Sequence, residues 1–229
     1  MIRDIEIPAG EKRDMMLLNR GESLHIVQHA GSVLHLCLFH LDDSDADYSI
    51  TVEQAGEGCE THLSGLIITR GRQHVDCLTR VRHLVGKGTS RQLFKYIVAD
   101  QSRDSFTGEL YIAPDAQQTD AQQTNRNLLL SRDARIQTKP QLEIYADDVK
   151  ASHGASTGQI DDSALFYMQQ RCLSLAQARR LLMEAFANEV LSHIPAETEF
   201  ADPHGTSNLS PLTPNLSSAI SDRLAALSL

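Results

Sequence analysis

Tryptophan is absent from the 229 residues and aromatic side chains make up only 5% of them, so an interior has to be built from Leu, Ile and Val. Cysteine is scarce and scattered. Cys37, Cys59, Cys77 and Cys172 form no Cys-x-x-Cys pair, which argues against a disulfide framework or a structural zinc site and leaves buried thiols as the expectation. No apolar run approaches the ~20 residues that cross a bilayer. The first residues, with Arg3, Asp4 and Glu6 beside Ile2 and Ile5, lack the apolar core of a signal peptide, so a cytoplasmic protein is expected. Positive charge is also short. Against 30 acidic residues stand 21 Lys and Arg, a formal net charge of −9, with no basic run; neither nucleic acid nor an anionic membrane is an expected partner. The Gly-x-Ser-x-Gly elbow, the phosphate loop and the dinucleotide fingerprint are missing too, and Gly86-Lys87-Gly88-Thr89-Ser90 lacks the first glycine of a phosphate loop and reads as a turn.

What is present is mainly β. Leu34, Leu36 and Leu38 alternate with His35, Cys37 and Phe39, and the acidic Asp42-Asp43-Ser44-Asp45 follows as a solvated turn. A strand from Tyr48 to Val52 is broken by Ala55-Gly56-Glu57-Gly58. After it, apolar clusters recur at similar intervals, at 66–68, 75–84, 93–98, 110–112, 128–130 and 142–144, separated by Gly, Asp, Ser, Asn or Pro. Short strands with turn signals and no helix between them fit a sandwich, a barrel or a stacked solenoid, and periodicity does not choose among these. A solenoid accounts for the polar stretches 86–91 and 115–126 as loops at a corner, because rungs contact only their neighbours. A short strand around Val149 to His153 closes the β part.

Helical spacing begins after Gly158. Asp161 or Asp162 can cap a short helix carrying Leu165, Phe166, Tyr167 and Met168. Ser174 to Gln177 is a capping box, and Leu175, Ala178, Leu181, Leu182, Ala185, Phe186 and Val190 then recur at three and four residues, an amphipathic helix ending before Pro195. Its plainest role is to pad one end of the β core. The stretch 196–215, rich in Pro, Ser, Thr and Asn, reads as an extended linker, and Ile220, Leu224 and Leu227 suggest a last helical turn or two. The expected organisation is therefore a β core over 1–160, a helical segment over 161–195 and a tail over 196–229.

Several ordered motifs carry a resemblance. Lys139-Pro-Gln-Leu-Glu-Ile-Tyr-Ala-Asp-Asp-Val-Lys150, then Ser152-His-Gly-Ala155, then Gly158-Gln-Ile-Asp161 with Leu165-Phe-Tyr167, closely resemble the core of the SufB/SufD family of iron-sulfur cluster assembly proteins, and within it the SufD branch. Thr89-Ser-Arg-Gln-Leu-Phe-Lys95, Ser105-Phe-Thr-Gly108 and the stretch from Asp120 to Ser131 extend the resemblance over roughly 56–193. It implies a right-handed parallel β-helix with a C-terminal α-helical segment. It also implies a noncatalytic scaffold that pairs with a SufB-like subunit, or with itself, through β-helix edges, and binds the ABC-type ATPase SufC. An iron-sulfur cluster would be held there only transiently, with none bound permanently. Relatives usually carry a helical domain before the β-helix, whereas this chain begins almost directly with strands, as a fragment or a short paralogue would.

The resemblance singles out His153 as the residue that would face the partner and assist a nascent cluster; imidazole can touch iron transiently or move a proton near neutral pH. Ala151 stands where many relatives have Cys, so no thiolate is supplied at that position. Leu165, Phe166, Leu182 and Phe186 are the expected ATPase face. A different reading, a metal-dependent or carbohydrate-binding β-scaffold enzyme, would use the histidines His25, His29, His35 and His40, which lack a compact His-x-His with a following Glu. A structural homo-oligomer is the third.

Overall fold

The computed structural model describes residues 2–194 and 213–227. Twelve strands run in chain order: β1 (Ile2–Ile7), β2 (Lys12–Leu18), β3 (Ser23–Gln28), β4 (Val33–His40), β5 (Ala46–Gln54), β6 (Glu60–Thr69), β7 (Val75–His83), β8 (Thr89–Val98), β9 (Arg103–Ile112), β10 (Thr119–Leu129), β11 (Arg135–Ile144) and β12 (Val149–Gly158). Odd strands form one six-stranded parallel sheet in the order β1-β3-β5-β7-β9-β11, and even strands form a second in the order β12-β10-β8-β6-β4-β2. The chain thus winds as a parallel β-helix whose rungs each take one strand from either sheet. The rung begins at 21 residues, from Asp4 to His25, and lengthens to 32, from Arg103 to Arg135.

In-register parallel pairing stacks like on like. The interior column Met15, Leu36, Leu63 lies in register across β2, β4 and β6, and Ile5, Ile26, Val52, Val81 and Leu110 do the same across β1, β3, β5, β7 and β9. All of these belong to the solenoid core. At the corner after the odd strands runs a polar column instead. Thr61 donates to Gln28 Oε1, Gln54 donates to Thr61 Oγ1 at 2.7 Å, and His83 pairs with Ser90 Oγ at 2.9 Å. These side chains are fully buried, and their mutual hydrogen bonds make a polar corner tolerable although Gln54 Oε1 and His83 Nδ1 have no partner among the described residues.

The two sheets differ on their outer faces. β7 alternates strictly between buried and half-exposed positions, whereas β8 is buried on both faces from Leu93 onward. A strand buried on both faces needs a cover. It is supplied by α2 (Leu175–Leu191) and α3 (Thr213–Ala225), while α1 (Asp162–Gln169) buries no residue and packs beside α2. Met183, Ala187, Val190 and Ile194, with Leu216, Ile220 and Leu224, pack against Phe39, Leu66, Ile68 and Ile97 on the second sheet, a second core outside the solenoid. Each large side chain so buried contributes about 1.5–3 kcal/mol.

Several expectations are corrected. Gly86–Gly88 and Asp115–Gln118 are corners, but Thr89–Arg91 and Thr119–Arg126 are strand residues: Gln123, Asn125 and Asn127 point into the interior and are buried, and a polar strand of this kind is indistinguishable from a loop by composition. β12 runs on from His153 to Gly158. In α2 the inward stripe is Ala178, Met183, Ala187 and Val190, while Leu175 and Leu181 face out, because the helix lies across a sheet face instead of padding an end. The terminal helix has 13 residues, longer than a turn or two. Of the linker expected at 196–215, residues 196–212 lie outside the described residues and 213–215 are the first residues of α3. Cys37, Cys59 and Cys77 are buried, but Cys172 is exposed.

The capping signals act as the chemistry requires. Asp161 accepts from the Ser163 amide, and Ser174 and Gln177 cap each other's backbone amides. Two buried charges tie the helices down. Lys95 Nζ donates to the Phe186 carbonyl at 2.8 Å and to the Glu189 carboxylate, and lies 4.2 Å from the Phe186 ring centroid. Arg223 of α3 donates to Asp43 Oδ1, to Gln73 Oε1 at 2.8 Å and to the carbonyls of Asp42 and Ile68. Asp43 is gripped by Arg70 as well, and the two guanidiniums hold its carboxyl well below the usual carboxylate range.

Candidate functional site

The solenoid ends at the rung made by β11 and β12, the last strand of each sheet. Both therefore present one edge with no neighbouring strand among the described residues, and no described helix covers it. Parallel edges of this kind offer unpaired backbone donors and acceptors. Burial falls away here: β12 is exposed along nearly its whole length, and Ile144 and Tyr145 are 40% and 59% exposed.

His153 sits on this last rung. Its register partner is Gln123 of β10, whose own partner is Gln92 of β8. Because side chains alternate across a strand, His153 shares the inward row with Gln123, Gln92, Leu63 and Leu36, and it is exposed only because no further rung closes over it. His153 has no hydrogen-bond partner among the described residues. Ala151, two residues earlier on the same row, stands over buried Ala121.

The interior below this end is polar. Asn127 donates to Thr138 Oγ1 at 3.0 Å and to Thr157 Oγ1 at 3.1 Å, and Thr138 donates to Asn125 Oδ1 at 3.0 Å, a network that ties β10, β11 and β12 together. Gln92 Oε1 accepts from Thr79 Oγ1 at 2.9 Å. Gln123 is only 2% exposed and neither of its amide atoms has a partner. It fits because Gly108 opposes it: a Cβ there would fall on the Gln123 amide. That is the structural reason for glycine in Ser105-Phe-Thr-Gly108. Sequence reasoning singled out His153 but missed this column; Gln92 and Gln123 carry a signal only once the rung length is known.

The expected helix face is divided by the fold. Phe166 is 64% exposed on α1, and Leu165 is half-buried beside a cavity of about 240 Å³ shared with Leu130, Ile160 and Arg179. Leu182 is half-buried. Phe186 packs against the second sheet beneath Lys95. Tyr167, Leu175 and Leu181 are the other exposed large apolar residues of the helices.

The four histidines of the metal-enzyme reading are not brought together. His25 is on the first sheet, paired with Asp4 at 3.0 Å, and His29 lies near Glu6. His35 faces outward from β4, bound to Asp14 at 2.8 Å, with its ring centroid 4.8 Å from that of His62 and the two rings tilted by 55°. His40 is buried between Tyr48 and the Ser44 carbonyl, and its burial lowers its pKa. His35 and His62 line a cavity of about 150 Å³ under the end of α2, with Cys37, Arg91, Arg126 and His193. Burial, with the neighbouring His35, lowers the His62 pKa, and burial raises the Cys37 thiol to about 11, so neither is an activated group at neutral pH. Among the described residues, no three His, Cys, Asp or Glu side chains are placed to hold a metal ion, and no helix is long and apolar enough to cross a membrane.

Comparison with known proteins bears on what this end of the solenoid belongs to. An iron-sulfur cluster assembly SufBD family protein of Synechocystis is 38% identical over 180 residues, 76% of this chain and 40% of the relative. The iron-sulfur cluster assembly protein SufD of Escherichia coli is 41% identical over 143 residues, 62% of this chain and 34% of its own length. A chloroplastic protein of Arabidopsis thaliana, ABCI7, is 38% identical over 149 residues, 65% of this chain and 31% of its own. The chain thus spans between 31% and 40% of the length of these curated relatives. Residues 19–186, from the turn after β2 through most of α2, match the model of the SufBD core domain of SUF-system FeS cluster assembly, and with it the chain belongs to the SufBD family of iron-sulfur cluster assembly proteins, on its SufD-like side.

Proposed function

We propose that this chain is a noncatalytic SufD-like scaffold subunit that pairs with a SufB-like subunit through the open edges of β11 and β12 and binds a SufC-type ATPase through its helices. The observation that carries the reading is the exposed last rung, where a histidine within the family motif stands on an inward row that no described residue covers. A second β subunit laid on that edge would satisfy its backbone groups and enclose His153. The nascent iron-sulfur cluster would be cargo formed at that junction and passed on. Any thiolate it needs would come from the partner, since Ala151 has none. The reading places the work in the cytoplasm.

For the ATPase, Leu165, Phe166 and Leu182 remain the proposed contacts, with Phe166 the most available. Phe186 joins them only through the backbone it steadies, because its ring is committed to Lys95 and the sheet. Co-expression with a SufC-type ATPase and a SufB-like subunit, followed by size-exclusion chromatography, tests both contacts. Co-elution of all three, with the ATPase lost in a Phe166→Asp, Leu182→Asp double variant that keeps its circular dichroism, is expected. A folded chain that associates with neither protein sinks the reading. The same edges suit self-pairing, and a dimer seen by light scattering that a SufB-like subunit does not displace would favour the homo-oligomer.

A further inference from the structure

On the outer face of the second sheet, beside the end of α2, parallel pairing brings two histidines together. Asp14, His35, His62 and Arg91 stand in register across β2, β4, β6 and β8. The His35 and His62 ring centroids are 4.8 Å apart. His35 Nδ1 donates to Asp14 Oδ1 at 2.8 Å, so the neutral ring carries its proton there and its lone pair on Nε2. A third imidazole, that of His193 just past the end of α2, lines the same cavity of about 150 Å³. Its Nδ1 lies 2.7 Å from the Glu189 carbonyl oxygen. A carbonyl only accepts, so here too the proton is on Nδ1 and the lone pair on Nε2.

We propose that His35 and His62 form a platform for one divalent ion of the zinc type, and that His193 closes over it as a third nitrogen ligand, clipping the end of α2 to the second sheet. With metal–nitrogen bonds of about 2.0–2.1 Å, two imidazoles on one tetrahedral ion stand with their centroids about 5 Å apart, close to the separation already present. The ligand that has to move is His193, which is exposed; as the chain stands, only the platform pair is together. The support behind the rings also fits. A metal-bound histidine gives its other N–H to a carboxylate or a backbone carbonyl, as His35 does to Asp14 and His193 to Glu189. Arg91 and Arg126 line the cavity as well, but each guanidinium is paired with a carboxylate, of Asp120 and of Glu189, which offsets its charge. Neutral imidazoles without thiolate suit zinc, nickel or copper, with water completing the coordination.

This site is separate from the open end of the solenoid, where His153 stands on an inward row, and it does not depend on the assembly reading. Its role is structural. An ion held there would fix the end of the helix that also carries Leu182, one of the proposed ATPase contacts.

The test is a calorimetric titration of zinc chloride into the whole chain after treatment with a chelator. Binding of one ion per chain is expected. Asp14→Asn, which acts through His35, should weaken it about tenfold, the usual loss for an outer-shell partner. His35→Gln and His62→Gln should weaken it further, while His25→Gln on the first sheet should leave it unchanged. Zinc should also slow hydrogen exchange of the backbone amides at 189–194, and His193→Gln should remove that slowing and weaken binding. The His62 side chain is 39% exposed, so His62→Gln is expected to keep the parent's circular dichroism and urea midpoint in the absence of metal. Cobalt chloride added to the unmodified chain gives a check that needs no variant, through the visible bands of a tetrahedral ion. Absence of binding, or an affinity that His35→Gln and His62→Gln both leave alone, overturns the site; exchange at 189–194 that zinc does not slow overturns the clip. Neither measurement needs a partner or a cluster, so the result stands apart from the assembly role.

Discussion

The two sheets share every rung and yet face the world differently. The first sheet's outer face is a field of paired charges in water: Arg80 with Glu109, Arg82 with Glu53, Asp4 with His25, and Arg82 over the Tyr111 ring. The second sheet's outer face is a core, with Phe39, Leu66, Ile68 and Ile97 under two helices and one buried lysine. The difference lies in one parity class of residues. Both sheets keep apolar side chains toward the solenoid interior; only the even strands also keep them outward in their second halves. Strand pairing alone therefore does not complete this fold. Half of its outer surface requires chain from beyond the last rung.

Substitutions can break that contrast, and the largest effect should come from the covered sheet. Phe39→Ala should cost about 3–5 kcal/mol in urea unfolding, the range for a fully buried aromatic, whereas Val27→Ala on the open sheet should cost less than about 1 kcal/mol. Equal losses would mean that the helices do not cover the second sheet in solution.

Asp104 comes next and probes the interior that both sheets share. Burial, opposed by the Thr69 hydroxyl and the Val75 amide, raises its carboxyl from 3.8 to about 7. A raised carboxyl pKa means that the folded chain holds a proton the unfolded chain has released. Stability is thus complete below about pH 4 and lost as pH rises toward 7. Asp104→Asn should leave stability unchanged near pH 4 and raise it at pH 8, by an amount of order 4 kcal/mol if the whole shift is realised. His83, lowered from 6.5 to about 4 by burial, has the opposite slope, with stability lost as pH falls through that interval. Difference curves between variant and parent isolate Asp104 from it.

A smaller effect separates the ion pairs of the two faces. Lys95→Ala should cost about 2 kcal/mol. It removes a buried ammonium that bridges α2 and β8, although partly exposed Glu189 keeps Arg126 as a partner. Arg80→Ala, on the open face, should cost less than about 1 kcal/mol and lose even that in high salt. If Lys95→Ala were as mild as Arg80→Ala, the helix–sheet seam would be held by apolar contact alone.

How much of this was legible in advance follows from the same parity argument. The strand through Leu34, Leu36 and Leu38 and the amphipathic helix after Ser174 were legible, but not that Cys37 and Phe39 are buried on the strand's other face, where the helix lies over the sheet instead of padding an end. Which of its residues would do so was not legible, because Leu181 and Met183 are equally apolar and only the tilt of α2 across the strands chooses Met183. The choice among β architectures rested on family motifs, since a rung that lengthens from 21 to 32 residues leaves no repeat to count. His153 stood out because of the motif around it. Gln123, the residue beneath it, did not, since its meaning lies in a register partner 30 residues away and a glycine across the rung. Likewise Asp43, read as one of several solvated acids in a turn, is the counter-ion of Arg223, which only the return of α3 brings near.

That return has a consequence in time. Arg223 and Asp43 are 180 residues apart in the chain. At a synthesis rate of about 5–20 residues per second, the β4–β5 turn and the apolar face beside it wait roughly 10–40 s for the helix that seals them. The open sheet can mature rung by rung as it emerges, while the covered one stays adhesive over that interval. The ribosome-bound chain is therefore most exposed to misassociation along one side, and a chaperone that shields it would find its target on the even strands.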